Sequence, residues 1–254
     1  MSFDVAADSY ARFMGQYADP LAEVFLDQVL GPEVGDALDV GCGPGTLTEP
    51  LAARLGPDRV AAIDPSESFV AAARLRCPGV NVRRGSAEAL PWPDARFDLV
   101  AAQLVVHFMA DPVAGLREMG RVARPGGTVA ACVWDQSPGA GPLSLFWEAA
   151  VALDPAAPGE SGRAGTRAGD LERLCAEAGL RDVAGDRLTV RVAFASVEDW
   201  WGPFALGVGP AGAYVASLGP GAREALRARC ADLLPAPPFH LDASAWAVRA
   251  LRRR

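Results

Sequence analysis

Two acidic residues bracket three alternating glycines: Asp39 precedes Gly41, Gly43 and Gly45, and Asp64 follows 19 residues after the last of them. Glycines at alternate positions after an apolar strand let the backbone turn tightly and approach a ligand closely, because none carries a Cβ. An acid ending the next strand is placed to accept two hydrogen bonds from a ribose diol. Its competing reading is a cap for the helix that follows. Asp39 lies two residues before the loop and faces it. Once buried it needs a partner, which an ammonium group on the ligand supplies directly or through water. Cys42 inside the loop and Pro65 beside Asp64 join this set. The chemistry is that of a nucleoside-bearing cofactor. The spacing is G-x-G-x-G rather than the G-x-G-x-x-G of a nicotinamide site.

Downstream, Ser86-Ala87-Glu88 follows a short apolar strand. A small polar residue and an acid at a strand end suit hydrogen bonding to a purine edge, and a plain surface loop explains them equally well. The elements that position these residues read as strands alternating with helices. Strands are expected at 37–40, 60–63, 80–83, 97–102 and 128–134, with helices at 2–30, 46–55, 66–76 and 112–123. That alternation means a parallel α/β sheet. Beyond it, residues 135–170 are rich in Gly, Pro and Ala, with a short helix near 143–153. A helix at 169–178, a β-like stretch at 187–195, helical patches at 197–234 carrying Trp200, Trp201, Phe204 and Tyr214, and a last strand at 239–250 complete the chain.

Composition narrows the chemistry further. No lysine is present among the 24 basic residues, all of them arginine. This excludes Schiff-base catalysis and a phosphate loop with its lysine. The net charge of −7 disfavours nucleic acid and anionic lipid as partners. Five scattered cysteines without C-x-x-C spacing argue against a metal site and for a reducing, cytoplasmic setting. No apolar run reaches the roughly 18 residues of a membrane span, and no signal-peptide pattern opens the chain.

The segments Leu38-Asp39-Val40-Gly41-Cys42-Gly43-Pro44-Gly45, Ile63-Asp64, Gly85-Ser86-Ala87-Glu88-Ala89-Leu90-Pro91, Phe97-Asp98-Leu99-Val100 and Leu116 to Gly127 occur in this order. With them the chain resembles the class I S-adenosylmethionine-dependent methyltransferases of type 11, related to the methylases of ubiquinone and menaquinone biosynthesis. Tyr10 to Gly15 resembles the family's N-terminal lid. The resemblance implies a Rossmann-like, doubly wound seven-stranded sheet with an antiparallel last strand and a helical cap. It divides the chain into a lid (1–30), a cofactor-binding core (31–134) and a cap that completes the sheet (135–254). It places the glycine loop over the methionine moiety and ribose and Asp64 on the ribose hydroxyls. Ala87 and Glu88 flank the adenine, and Ser86 stands where relatives often have Asp or Asn. Gln103 and Leu104 line the pocket near the transferable methyl, and Tyr10 and Arg12 close over the cofactor carboxylate. His107, past the fourth strand, falls where the family lines its pocket and has the pKa range of a general base. The other reading is a histidine hydrogen-bonded under the cap. His240 reads as structural.

The function implied is methyl transfer from S-adenosylmethionine to a small molecule, leaving S-adenosylhomocysteine. The apolar, aromatic cap suggests a hydrophobic or aromatic acceptor. One of the adjacent Trp200 and Trp201, or Trp134 at a strand end, can face it. Two readings compete: an NAD(P)-dependent oxidoreductase, disfavoured by the loop spacing, and a non-catalytic module that binds the cofactor or its product. A monomer and a homodimer are both compatible with the sequence.

Overall fold

The structure, a computed structural model, describes residues 7–160 and 162–253. Strands β1 (Ala37–Val40), β2 (Val60–Asp64), β3 (Asn81–Arg84), β4 (Phe97–Gln103), β5 (Ala123–Trp134), β6 (Arg181–Phe194) and β7 (Phe239–Leu251) form one sheet in the order β3-β2-β1-β4-β5-β7-β6. The first five are parallel, and β7 runs antiparallel to both β5 and β6. Every residue of β1 and β2 is buried, as befits parallel strands covered on both faces.

Alternation along the strands separates two layers of core. Leu99, Ala101, Ala130, Cys132 and Trp134 face one side. Val100, Ala102, Val129, Ala131 and Val133 face the other, against α5 (Pro112–Val122) and α7 (Asp170–Glu177). On the first side lies the N-terminal segment: α1 (Ala7–Tyr10), a π-helical turn (Ala11–Gly15) and α2 (Gln16–Val29). α2 buries Tyr17, Leu21, Phe25 and Val29, one every four residues, and packs on β6.

The connections β1–α3 (Thr48–Leu55) and β2–α4 (Glu67–Arg76) follow the expected pattern. Ser66 caps α4, its hydroxyl accepting from the Phe69 N–H at 3.4 Å. The remaining helices are α6 (Ser144–Leu153), then α8 (Val197–Trp201), α9 (Gly209–Ser217) and α10 (Pro220–Leu233) between β6 and β7. The cap's aromatic residues pack against each other. Phe204 stacks on Phe146 at 4.6 Å, and Phe13 of the π-helical turn meets it edge-on at 5.3 Å. Trp200 and Trp201 are both buried around Phe204.

Two strands begin earlier than the sequence suggests. β5 runs through Pro125-Gly126-Gly127, where the register against β4 shifts between Phe97 and Leu99. β6 starts six residues before 187, in a largely exposed stretch without apolar alternation. The five cysteines are free and buried, and they sit in five different places: the glycine loop, the end of α4, β5, α7 and α10. Burial raises the thiol pKa of Cys77 to about 11 and those of Cys175 and Cys230 to about 12. No helix among the described residues is long and apolar enough to cross a membrane.

Candidate active site

The sheet order reverses beside β1, so the chain leaves β1 and β4 on opposite faces and their carboxyl ends part into a crevice. The glycine loop rises there. Gly41 and Cys42 N–H groups both donate to the Ile63 carbonyl, at 2.8 and 3.0 Å. Gly41 has φ +72°, and a Cβ on it would come within 2.4 Å of Val105. Gly43 also has positive φ, but space beside it is open.

Asp64 locks this loop to the next one. Its two carboxylate oxygens accept from the Gly43 N–H at 2.9 Å and the Ser66 N–H at 2.8 Å. Burial raises its pKa, and these two bonds pull it back. Asp39 is 1% exposed and accepts from the Thr48 hydroxyl at 2.6 Å. Burial pushes its pKa up to about 7, the Thr48 bond opposes this, and the Asp64 charge adds to it. Among the described residues, neither carboxylate makes an ion pair with a basic side chain. The mouth of the loop is therefore a place for positive charge and a poor one for a pyrophosphate.

Two adjoining cavities form one cleft. The smaller, about 30 Å³, lies among Asp39, the glycine loop, Thr46 and Leu47. The larger, about 730 Å³, runs past Asp64, Pro65 and Ser86-Ala87-Glu88 to His107 and Phe108. Tyr10, Gly41, Gly43, Gln103 and Leu104 border both. Cys42 borders the smaller one. Leu104 has φ +62°, a left-handed conformation unusual for leucine, and its N–H donates to the Cys132 carbonyl at 2.8 Å. Gln103 is buried and its Nε2 donates to the Ala18 carbonyl at 2.8 Å. The Glu88 carboxylate is occupied by the Ser86 hydroxyl and by the Ala110 N–H at 2.9 Å, so it ties two cleft loops together.

Tyr10 is half-buried and meets Phe69 edge-on at 5.3 Å. Burial, then the Asp64 and Asp19 charges, raises its pKa to about 12. Arg12 is exposed and borders neither cavity. Two residues along a helical turn is roughly 200° of rotation, so Tyr10 and Arg12 point apart. The structure does not bring Arg12 to the cleft. His107 lies in the 3₁₀ turn Val106–Phe108 on the cleft wall. Its Nδ1 is buried with no partner among the described residues. Burial, then the Arg163 charge, pushes its pKa down to about 3, which leaves a neutral, weakly basic ring. His240 is exposed on β7.

Sequence reasoning missed Thr48 and Arg163. Thr48 could have been found as a hydroxyl at the start of the helix after the loop, nine residues past Asp39. Arg163 gave no signal: it sits in the Gly-, Pro- and Ala-rich stretch and reaches the cleft with its guanidinium 4.8 Å over the Phe108 ring.

The family described as a methyltransferase domain matches residues 38–131. A trans-aconitate 2-methyltransferase of Methylobacterium radiotolerans is 30% identical over 203 residues, 75% of this chain and 75% of that protein. The chain belongs to the class I S-adenosylmethionine-dependent methyltransferases. A ubiquinone biosynthesis O-methyltransferase of Parvibaculum lavamentivorans is 39% identical over 94 residues, covering 35% of this chain and 36% of that one. The phosphoethanolamine N-methyltransferase 2 of Haemonchus contortus, solved with S-adenosyl-L-methionine, shares the fold. Its TM-score is 0.57 at 16% identity, over 100% of this chain and 60% of that one. The chain spans less than half the length of several other curated relatives it matches. Its cleft suits the cofactor of this class on its own terms. Asp39 is a buried carboxylate with no cation beside it among the described residues, Asp64 keeps lone pairs for a diol, and Gly43 leaves room where a side chain would intrude.

Proposed function

We propose that the chain transfers a methyl group from S-adenosylmethionine to a small-molecule acceptor of hydrophobic or aromatic character. The observation that carries this reading is the pair of buried carboxylates, Asp39 and Asp64, at a glycine loop where no basic side chain among the described residues neutralises them. When bound, the cofactor supplies an electrophilic methyl on a positively charged sulfur. In this reading Asp39, steadied by Thr48, holds the ammonium group, and Asp64 holds the ribose hydroxyls. Gly41, Cys42 and Gly43 lie against the methionine moiety, whereas Gly45, which borders neither cavity and turns toward Cys77 and α4, shapes the loop from behind. Pro65, Ser86, Ala87 and Glu88 border the adenosine, while Gln103 and Leu104 stand beside the methyl. Tyr10 covers the cleft, and residues 7–29 act as a lid that keeps water out. Alignment of this kind contributes on the order of 7–11 kcal/mol. His107, held neutral, serves as a hydrogen-bonding group on the cleft wall rather than as a base. Leu104, Val105, Phe108 and Met109 give that part of the cleft its apolar wall.

Calorimetry with S-adenosylhomocysteine and with NADH tests the cofactor. Binding of the first is expected, and binding of NADH alone overturns the reading. Mass spectrometry of a quinone, phenol and amine panel with labelled cofactor tests the transfer. Cofactor binding without methylation of any acceptor would point instead to a non-catalytic module.

A further inference from the structure

Beneath α2, three buried polar groups gather without satisfying one another. Gln103 pairs in register with Cys132, so Gln103, Cys132 and Trp134 project from the same face of the sheet. On that face the Trp134 ring meets the Tyr17 ring edge-on, with centroids 6.4 Å apart. The Gln103 amide grips the carbonyl of Ala18, the residue next to Tyr17. That bond uses Nε2 alone. Gln103 Oε1 and Trp134 Nε1 are buried with no hydrogen-bond partner among the described residues. The Tyr17 hydroxyl, beside the Trp200 indole, makes no hydrogen bond of normal geometry. Their surroundings are otherwise apolar, with Phe194 lying 6.0 Å from Tyr17 and Leu104 in the same core.

A buried polar group left without a partner costs about 1–3 kcal/mol, and native proteins keep few of them. Three on one face of the core, of which Gln103 also borders the cofactor cleft, make sense when a ligand satisfies them. We propose that Tyr17, Gln103 and Trp134 form the acceptor subsite and select an uncharged aromatic acceptor bearing a hydroxyl group. This rests on the methyltransferase reading above. Trp134 offers only a donor, Gln103 Oε1 only an acceptor, and Tyr17 either. A hydroxyl both donates and accepts, so it answers all three. A carboxylate leaves Gln103 Oε1 facing negative charge. The rings of Tyr17, Trp134 and Phe194 suit a flat ring. Entry requires α2 to lift and the Gln103–Ala18 bond to open, and the π-helical turn just before α2 provides the irregular backbone for that movement.

The test uses the full chain. Titration with S-adenosylhomocysteine comes first, since its failure defeats the underlying cofactor reading separately. The loaded protein is then titrated with phenol, catechol, cyclohexanol and benzoate, followed by calorimetry and tryptophan fluorescence. Phenol and catechol are expected to bind, and cyclohexanol and benzoate to bind more weakly. Trp134→Phe and Tyr17→Phe each remove one polar group and keep a ring. Each is expected to weaken phenol binding about tenfold, the worth of one hydrogen bond, and S-adenosylhomocysteine binding by less than that. Tyr17→Phe, which keeps its ring volume, is expected to keep the parent's melting temperature, and Trp134→Phe to lower it through the space it leaves in the core. If one variant fails to fold, the other carries the test. The proposal is overturned if the variants bind phenols as the parent does, if benzoate binds best, or if the loaded protein binds no hydroxylated ring.

Discussion

Asp39 carries a charge that the fold around it opposes. Its burial and the neighbouring Asp64 both favour the protonated form, and Thr48, through its hydroxyl and then its backbone, steadies the carboxylate. Asp39→Asn keeps an oxygen for Thr48 and removes the charge. At pH 8 the variant is expected to melt several degrees higher without ligand, a gain of about 1–3 kcal/mol. It should bind S-adenosylhomocysteine about ten- to a hundredfold more weakly, from the loss of a charge-assisted contact. Thermal melts and calorimetry check both, and a fall in stability would mark Asp39 as structural. The sequence made Asp39, Asp64 and the glycines legible because type and spacing along one strand–loop–strand unit define them. Thr48 and Arg163 were hidden because their roles arise only when separate segments are folded together.

At the scale of the element, two loop glycines that look alike in the sequence are used differently. Gly41→Ala drives a Cβ into Val105 and forces a left-handed backbone. The combined cost is expected to be about 2–5 kcal/mol of stability. Gly43→Ala meets no protein atom, so its stability cost is only about 1–2 kcal/mol, while its new methyl borders the cleft. Denaturant unfolding should therefore separate the two variants, with Gly43→Ala losing cofactor affinity more than stability. Strands β1, β2 and β4 were readable because burial on both faces leaves largely apolar runs, in which Asp39, Asp64, Asp98 and Gln103 stand out. The early parts of β5 and β6 were not, because Pro-Gly-Gly and exposed polar residues hide extended backbone. The cap's aromatic residues were ambiguous for a related reason: composition does not say whether a ring faces a ligand or another ring, and Trp200 and Trp201 face Phe204.

Across the whole molecule, two buried groups pull the pH dependence of stability in opposite directions. His107 titrates near 3 when folded, below the ordinary histidine value of 6.5. The unfolded chain takes up that proton first, so stability is lost as pH falls from about 6.5 towards 3. Asp39 titrates near 7 when folded, above its ordinary 3.8. The folded chain holds that proton longer, so stability is lost as pH rises from about 4 to 7. Each slope reaches at most about 1.4 kcal/mol per pH unit, and between about pH 4 and 6.5 they offset each other. Relative to the parent, Asp39→Asn should gain stability with rising pH in that window and His107→Phe should lose it. Urea unfolding at pH 4.5, 5.5 and 6.5 checks the signs. The parallel α/β sheet was legible from the alternation of elements and its antiparallel last strand from the family resemblance, whereas this balance depends on burial that no local pattern encodes. The five buried thiols give the same molecule a built-in set of clocks. Each occupies a different element, and a thiol reagent can reach it only when that element opens. Labelling followed by peptide mass spectrometry would time five separate openings in the unaltered protein. S-adenosylhomocysteine is expected to slow Cys42, in the loop, far more than Cys230 in α10.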